Sequence, residues 1–174
     1  MSALIARAEA HDPDERFGER VAENQRRVFQ IAYSVLGNFA DAEDVAQEAF
    51  LRAYRKLGSL REAEKFRFWV NRIVFRLALN RKRSHGRRLA RDAAWQVTET
   101  RTMVDGAKET EQHLMVNQLR KEIERLPERF RSVLELSLVK EMDAASVAAV
   151  LGIPDGTVRS RLHKARKLLL EVMR

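Results

Sequence analysis

The sequence predicts an all-α chain: two small helical domains joined by a flexible linker, the C-terminal one containing a helix-turn-helix. Three observations carry this. Apolar residues recur every three to four positions in several separate stretches, the period of a helix with one buried face. Strand signals are scarce: β-branched runs are short, and no Asn-Gly or Asp-Gly pair is flanked by alternating apolar and polar residues. Near the C-terminus, Ala144–Lys167 reads AASVAAVLGIPDGTVRSRLHKARK, two short helical patterns broken by Gly152 and Pro154.

In chain order, residues 1–20 read as a mobile N-terminal arm, with Pro13 among acidic residues. From Val21 the pattern turns helical. Val28, Ile31, Ala32 and Val35 form one stripe, which Gly37-Asn38 ends. Asp41–Lys56 (DAEDVAQEAFLRAYRK) is a second helix, with Ala42, Val45, Ala46, Ala49, Ala53 and Leu57 as its buried stripe. Asp41, Asp44, Gln47, Glu48 and Arg52 lie largely away from that stripe. Carboxylates at Asp41, Glu43 and Asp44 favour a helix N-terminus by roughly 0.3–1 kcal/mol each, which alone accounts for them. Yet an acidic patch on a strongly basic chain would repel DNA, so this face is expected to meet a basic protein surface.

Gly58–Lys65 breaks the pattern as a loop. Phe66–Arg83 (FRFWVNRIVFRLALNRKR) is the third strong helix, with Phe66, Trp69, Val70, Ile73, Leu77 and Ala78 as its core stripe. A second face carries Phe68, Arg72, Phe75, Arg76, Leu79 and Arg83. Aromatics interleaved with arginines can stack on unpaired bases while neutralising phosphate. They can equally be a helix buried on two sides, its Arg stems covering rings, and the residues alone divide evenly between the two. Residues 81–91 hold six cations: Arg81, Lys82, Arg83, Arg87, Arg88 and Arg91. Clear periodicity is lost over 92–111; a linker is read from about Ser84 to Glu111, and as a domain boundary it is placed at 92–112.

Helical periodicity returns at Gln112 with Leu114, Leu119, Ile123 and Leu126. Pro127 opens another helix whose core face is Phe130, Val133, Leu134 and Leu138. Asp143 reads as the N-cap of the helix-turn-helix. There Ala148 allows close helix approach, Gly152 supplies a positive-φ turn and Pro154 suits the start of the next helix. Val147, Leu151, Val158 and Leu162 would share a small core. Arg159, Ser160, His163, Lys164 and Lys167 would face outward, a mix suited to phosphates and base edges in a major groove. The plainer alternative is a helical hairpin with a solvated basic face.

Composition narrows the function. The 174 residues carry a net charge of +8 and 45% hydrophobic residues, which favours folded cores and a polyanionic partner. Cysteine is absent, and the four histidines lack ligand spacing, so no metal site or cofactor is expected. No catalytic grouping or Gly-rich phosphate loop occurs, and the chain is not read as an enzyme. No stretch of about 18 apolar residues exists, so membrane insertion is not expected. The charged N-terminus does not resemble a signal peptide, and a cytoplasmic protein is expected.

Four blocks occur in a set order: DAEDVAQEAFLRAYRKL, FRFWVNRI with LALNRKR, LPERFRSVLELSL, and VAAVLGIPDGTVRSRLHKARKLL. Together they resemble a bacterial RNA polymerase sigma factor of the extracytoplasmic-function (ECF) class. The resemblance implies a family region 2 at 21–91 and a region 4 at 113–174. It implies that Asp41, Glu43, Asp44, Gln47 and Glu48 dock on the clamp helices of the polymerase β′ subunit. It implies that the loop 58–65 and helix 66–83 read and open the promoter −10 element through Phe68, Arg72, Phe75, Arg76, Asn80 and Arg83. It assigns Arg159, Ser160, His163, Lys164, Arg166 and Lys167 to the −35 element. Core polymerase and promoter DNA are the implied partners, and an anti-sigma protein is left open. Phe68, Arg76 and Asn80 depart from the usual family residues, all on the −10 face. The alternative is a stand-alone helix-turn-helix regulator that acts without polymerase. It would ordinarily dimerise, and no coiled-coil heptads or dimer helix are evident. A third reading, an RNA-binding adaptor, lacks the strands or GxxG loop such modules use.

Overall fold

The computed structural model describes residues 13–95, 111–139 and 142–172. Among these residues there is no strand. The helices are α1 (Pro13–Leu36), α2 (Phe39–Arg55), α3 (Phe66–Trp95), α4 (Glu111–Arg125), α5 (Glu128–Ser137), α6 (Ala144–Leu151) and α7 (Asp155–Val172). Two single 3₁₀ turns, Leu57–Ser59 and Ala63–Lys65, shape the segment between α2 and α3. The chain divides into two compact units, residues 1–78 and 79–174.

In the N-terminal unit α1 and α2 pack together, joined by Gly37 and Asn38. Gly37 takes φ 68°, and its N–H donates to the Tyr33 carbonyl at 2.9 Å, ending α1. Asn38 then caps α2, its Oδ1 accepting from the Asp41 N–H at 3.0 Å. The expected stripes are the buried ones. Val28, Ile31, Ala32 and Val35 are at most 1% exposed, and Ala42, Val45, Ala46, Ala49 and Ala53 are buried. Leu57 is half-buried. The small side chains of α2 let it approach its neighbour closely. From α3, Phe66, Val70, Val74, Phe75, Leu77 and Ala78 are buried, whereas Trp69 and Ile73 are half-buried. Phe17 of α1 meets Phe66 edge-on at 6.0 Å and Tyr54 of α2 at 5.1 Å, an aromatic clasp at one end of the unit.

Three boundaries differ from the sequence reading. The arm read at 1–20 is helical from Pro13, since proline is tolerated in a first turn; residues 1–12 lie outside the described residues. The third helix runs 30 residues to Trp95, past the expected end at Arg83 and past the start of the linker at 92. Gly86 costs only about 1 kcal/mol in a helix interior, and the surrounding Arg and Ala are good helix formers. The rest of the expected linker, 96–110, lies outside the described residues, as does the side chain of Leu114. Pro127 is the residue before α5 rather than within its first turn.

The C-terminal unit closes around α7, which contacts α4, α5 and α6. Leu126, Leu134 and Ala165 form a buried cluster with Ile123, Phe130, Leu162, Leu168 and Leu169 against it. Val133, Leu136, Val147 and Val158 are at most 1% exposed. Leu138, expected in the core, is 67% exposed, because it sits at the C-cap of α5, where the chain leaves the helix. Asp143 is the N-cap of α6, its Oδ1 accepting from the Ser146 N–H at 2.8 Å. Gly152 takes φ 69° and its N–H donates to the Ala148 carbonyl at 2.8 Å, which turns the chain toward α7. Asp143→Ala is expected to lower the stability of this unit by about 1 kcal/mol; thermal denaturation checks it, and an unchanged melting temperature would mean that solvent replaces the cap.

Candidate functional site

Three surfaces emerge. The first is the acidic face of α2. Glu43, Asp44 and Gln47 are exposed, while Asp41 and Glu48 are half-buried. Glu48 accepts from Arg52 one turn on, at 2.6 Å. All five residues therefore stand off the buried stripe, as the 3.6-residue period requires. The sequence reading missed the ground beside them. A groove of about 480 Å³ runs between α1 and α2, lined by Val21, Gln25, Arg26, Phe29, Glu43, Ala46, Gln47 and Phe50. Phe39 stands 64% exposed nearby, with its ring 5.0 Å from that of Phe29. The acidic face is thus bordered by apolar ground, a combination typical of a protein-binding surface. The available signal was three phenylalanines, 29, 39 and 50, outside the buried stripes.

The second surface is on α3. Phe68, Arg72, Arg76, Asn80 and Arg83 fall within about 120° of its circumference at about 100° per residue. Arg76, Asn80 and Arg83 are exposed, and Phe68 and Arg72 are half-buried. The Arg67 guanidinium lies 4.8 Å from the Phe68 ring centroid. Phe75 does not belong to this surface: it is 4% exposed. It lies at the edge of the arc, turned into the core with Ala78 and Val74, so packing replaces base stacking as its role. Arg83 pairs with Glu128 through Nε at 3.2 Å and through Nη2.

Beside α3, a polar cleft of about 360 Å³ is lined by Arg20, Glu23, Asn24 and Arg27 of α1 and by Ala63, Glu64, Phe66 and Arg67. The Arg20 guanidinium lies 5.3 Å from the Phe66 ring centroid, and Asn24 donates to the Arg20 carbonyl at 2.8 Å. Sequence reading missed these α1 residues, because a cleft between distant segments leaves no local pattern. The neighbouring loop is braced internally: Lys65 pairs with Glu62 at 2.7 Å, and Ser59 Oγ donates to the Lys56 carbonyl at 2.6 Å.

The third surface is α7. Val158 and Ala165 are buried, and Leu162 packs on the core cluster. Arg159, Ser160, His163, Lys164, Arg166 and Lys167 are all exposed. They occupy about 160° of the opposite side. Arg159 Nη2 pairs with Asp155 Oδ2 at 2.6 Å while its side chain stays 74% exposed. Such an exposed pair is weak, about 0–1 kcal/mol, so it orients the guanidinium without sequestering it. Ser160 Oγ donates to the Thr157 carbonyl at 3.1 Å, which leaves its oxygen free to accept. Gly152 brings α6 across this helix, the arrangement that sets a recognition helix into a groove.

Among the described residues no group of His, Cys, Asp and Glu suits a metal ion, and no helix is long and apolar enough to cross a membrane.

Comparison with known proteins agrees with this layout. Residues 20–88 match the model of Sigma-70 region 2, and residues 117–169 match that of Sigma-70, region 4. The chain is 33% identical over 156 residues to the ECF RNA polymerase sigma factor SigW of Bacillus subtilis, covering 85% of this chain and 83% of the relative. It is 30% identical over 174 residues to the ECF RNA polymerase sigma-E factor of Escherichia coli, covering 95% and 90%. Its fold is like that of the sigma factor RpoE from Bartonella quintana, solved with the anti-sigma factor NepR, at a TM-score of 0.64 and 21% identity over 91% of this chain and 97% of that one. Both halves, in order and over most of the length, place the chain in the ECF class of the sigma-70 family of RNA polymerase sigma factors.

Proposed function

We propose that the chain is a dissociable specificity subunit that binds core RNA polymerase and directs it to promoters, acting in the cytoplasm and catalysing no reaction of its own. The observation that carries this is the pairing of an acidic, apolar-bordered face on α2 with an exposed cationic face on α7, in a chain of net charge +8. Asp41, Glu43, Asp44, Gln47 and Glu48 form the polymerase-docking face, on the β′ clamp helices. Phe68, Arg72, Arg76, Asn80 and Arg83 meet the −10 element. Capture of an unstacked non-template base there offsets unpairing, at roughly 1–3 kcal/mol per stacked base. An anti-sigma protein would compete for these surfaces. The stand-alone regulator reading gives way to the family match over both regions.

On α7, the N-terminal half enters deepest, so Arg159 is the best candidate for a bidentate contact to guanine O6 and N7. Ser160, His163 and Lys164 flank it, and Arg166 and Lys167 meet phosphate. Arg159→Ala is expected to cost about 1–3 kcal/mol on the preferred −35 element and to flatten preference at one base pair. Arg166→Ala or Lys167→Ala is expected to weaken all sequences alike and reduce the salt slope by about one. Holoenzyme binding to singly substituted −35 duplexes at two salt concentrations checks both. A uniform loss with Arg159→Ala assigns that residue to the backbone, and a sequence-selective loss with Lys167→Ala rotates the helix in the groove.

A further inference from the structure

The basic run at 81–91 is more than a solvated face. From Leu79 onward α3 belongs to the C-terminal unit, and two of its cations are engaged there. Lys82 Nζ lies 3.2 Å from Glu135 Oε1 and 3.7 Å from Glu124 Oε1. Arg83 forks onto Glu128 with two donors on two oxygens. The Lys82 side chain is only 24% exposed, and Glu135 is 4% exposed. Arg131 Nε stands 3.9 Å from Glu135 Oε1 without a hydrogen bond, so among the described residues Lys82 supplies the hydrogen bond to that oxygen. Among the described residues Glu135 Oε2 has no hydrogen-bond partner. Burial pushes the Glu135 carboxyl above the usual carboxylate range, and Lys82 pulls it back.

A nearly buried carboxylate on α5 is costly to retain for packing alone, because Val133, Leu134 and Leu136 already form the core there. Glu124, Glu128 and Glu135 instead present a row of oxygens to adjacent cations, and the Arg83–Glu128 fork repeats the bidentate geometry by which arginine grips phosphate. We propose that these three carboxylates stand in for DNA phosphates, masking Lys82 and Arg83 in the free chain, so that the end of α3 is open to DNA only once this ion-pair cluster is broken. This rests on the reading of Arg83 as a DNA contact. The mask is an intramolecular competitor: it weakens binding of the free sigma factor to any polyanion and is relieved when the end of α3 leaves α4 and α5.

The test uses the full chain and a dye-labelled 12-nucleotide single-stranded DNA at fixed salt, read by anisotropy. Glu124→Ala/Glu128→Ala removes two partly exposed members and leaves Glu135 in place, and thermal denaturation checks that the fold is kept. It is expected to tighten binding about tenfold, well beyond a Glu15→Ala/Glu171→Ala control with the same change of net charge. Arg83→Ala is expected to lose most of that gain in the Glu124→Ala/Glu128→Ala background. Equal affinities for the double variant and the control overturn the mask. A full gain that survives Arg83→Ala leaves a mask acting through Lys82 alone and overturns the reading of Arg83 as a DNA contact. A spin-label pair at His85 and Arg129 provides a second measurement. The distance is expected to be short in the free parent and to lengthen when this DNA binds; binding without lengthening overturns the competition even if Arg83 touches DNA.

Discussion

Asp44→Arg is expected to abolish tight association with core RNA polymerase while leaving the thermal stability of the chain unchanged. Asp44 is exposed on α2, six residues beyond the Asn38 cap, and stands off the stripe of Ala42, Val45, Ala46 and Ala49. Reversing its charge removes one attraction and adds a repulsion at a surface that becomes desolvated on docking. Losing one partner of such a charge pair costs about 2–5 kcal/mol, at least tenfold in affinity. Gln47 and Phe50 line the adjoining groove, so the apolar part of the contact would remain and only the electrostatic part would be lost. Titration of labelled core polymerase with the full chain measures it. Parent-like affinity would move the docking face away from α2. A collapse in melting temperature would instead make Asp44 a structural residue of the helix N-terminus.

Phe75→Ala is expected to destabilise the N-terminal unit by about 3–5 kcal/mol, as large aromatic truncations in cores do. Its ring is 4% exposed and shares the buried side of α3 with Val74 and Ala78. For a unit of this size the melting temperature should fall on the order of 15 °C or more. Arg76→Ala one residue on is the contrast. Arg76 is exposed, so its replacement should leave the melting temperature alone and reduce promoter opening, read by permanganate reactivity of unpaired thymines. If Phe75→Ala melts like the parent but opens promoters poorly, the ring is turned toward DNA in the working complex and the packing account fails.

The two variants mark where helical periodicity stops being informative. Phe75 lies at the border between the buried and exposed arcs of α3. A period of about 3.6 residues locates the centre of a face well and its edge badly. What lies across from the edge decides the matter, and only the packing of α3 within its unit supplies that. Leu138 failed for a related reason: it kept the apolar period of α5 but fell on the C-cap, where the chain no longer follows a helix. The far end of α3 illustrates the opposite error. A run of arginines with a glycine looked like the end of a helix, yet nothing in Ser84–Trp95 forbids one, and the helix continues.

The amino-acid sequence by itself determined the features that depend on local chemistry. The all-α class follows from spacing, and the turn at Gly152 from its freedom at positive φ, here 69°. The Asp143 cap follows from a short acceptor side chain ahead of a helix, and the exposed faces of α2 and α7 from the stripes opposite them. Tertiary structure alone decided what depends on segments far apart in the chain. The groove beside Phe29 and Phe50 needs α1 laid against α2, and the Arg20–Arg67 cleft needs α1 beside the start of α3. The grip of Glu124, Glu128 and Glu135 on Lys82 and Arg83 joins residues 42–53 positions apart in the sequence. No local period encodes such a pairing, because its energy comes from desolvation and charge brought together only when helices pack.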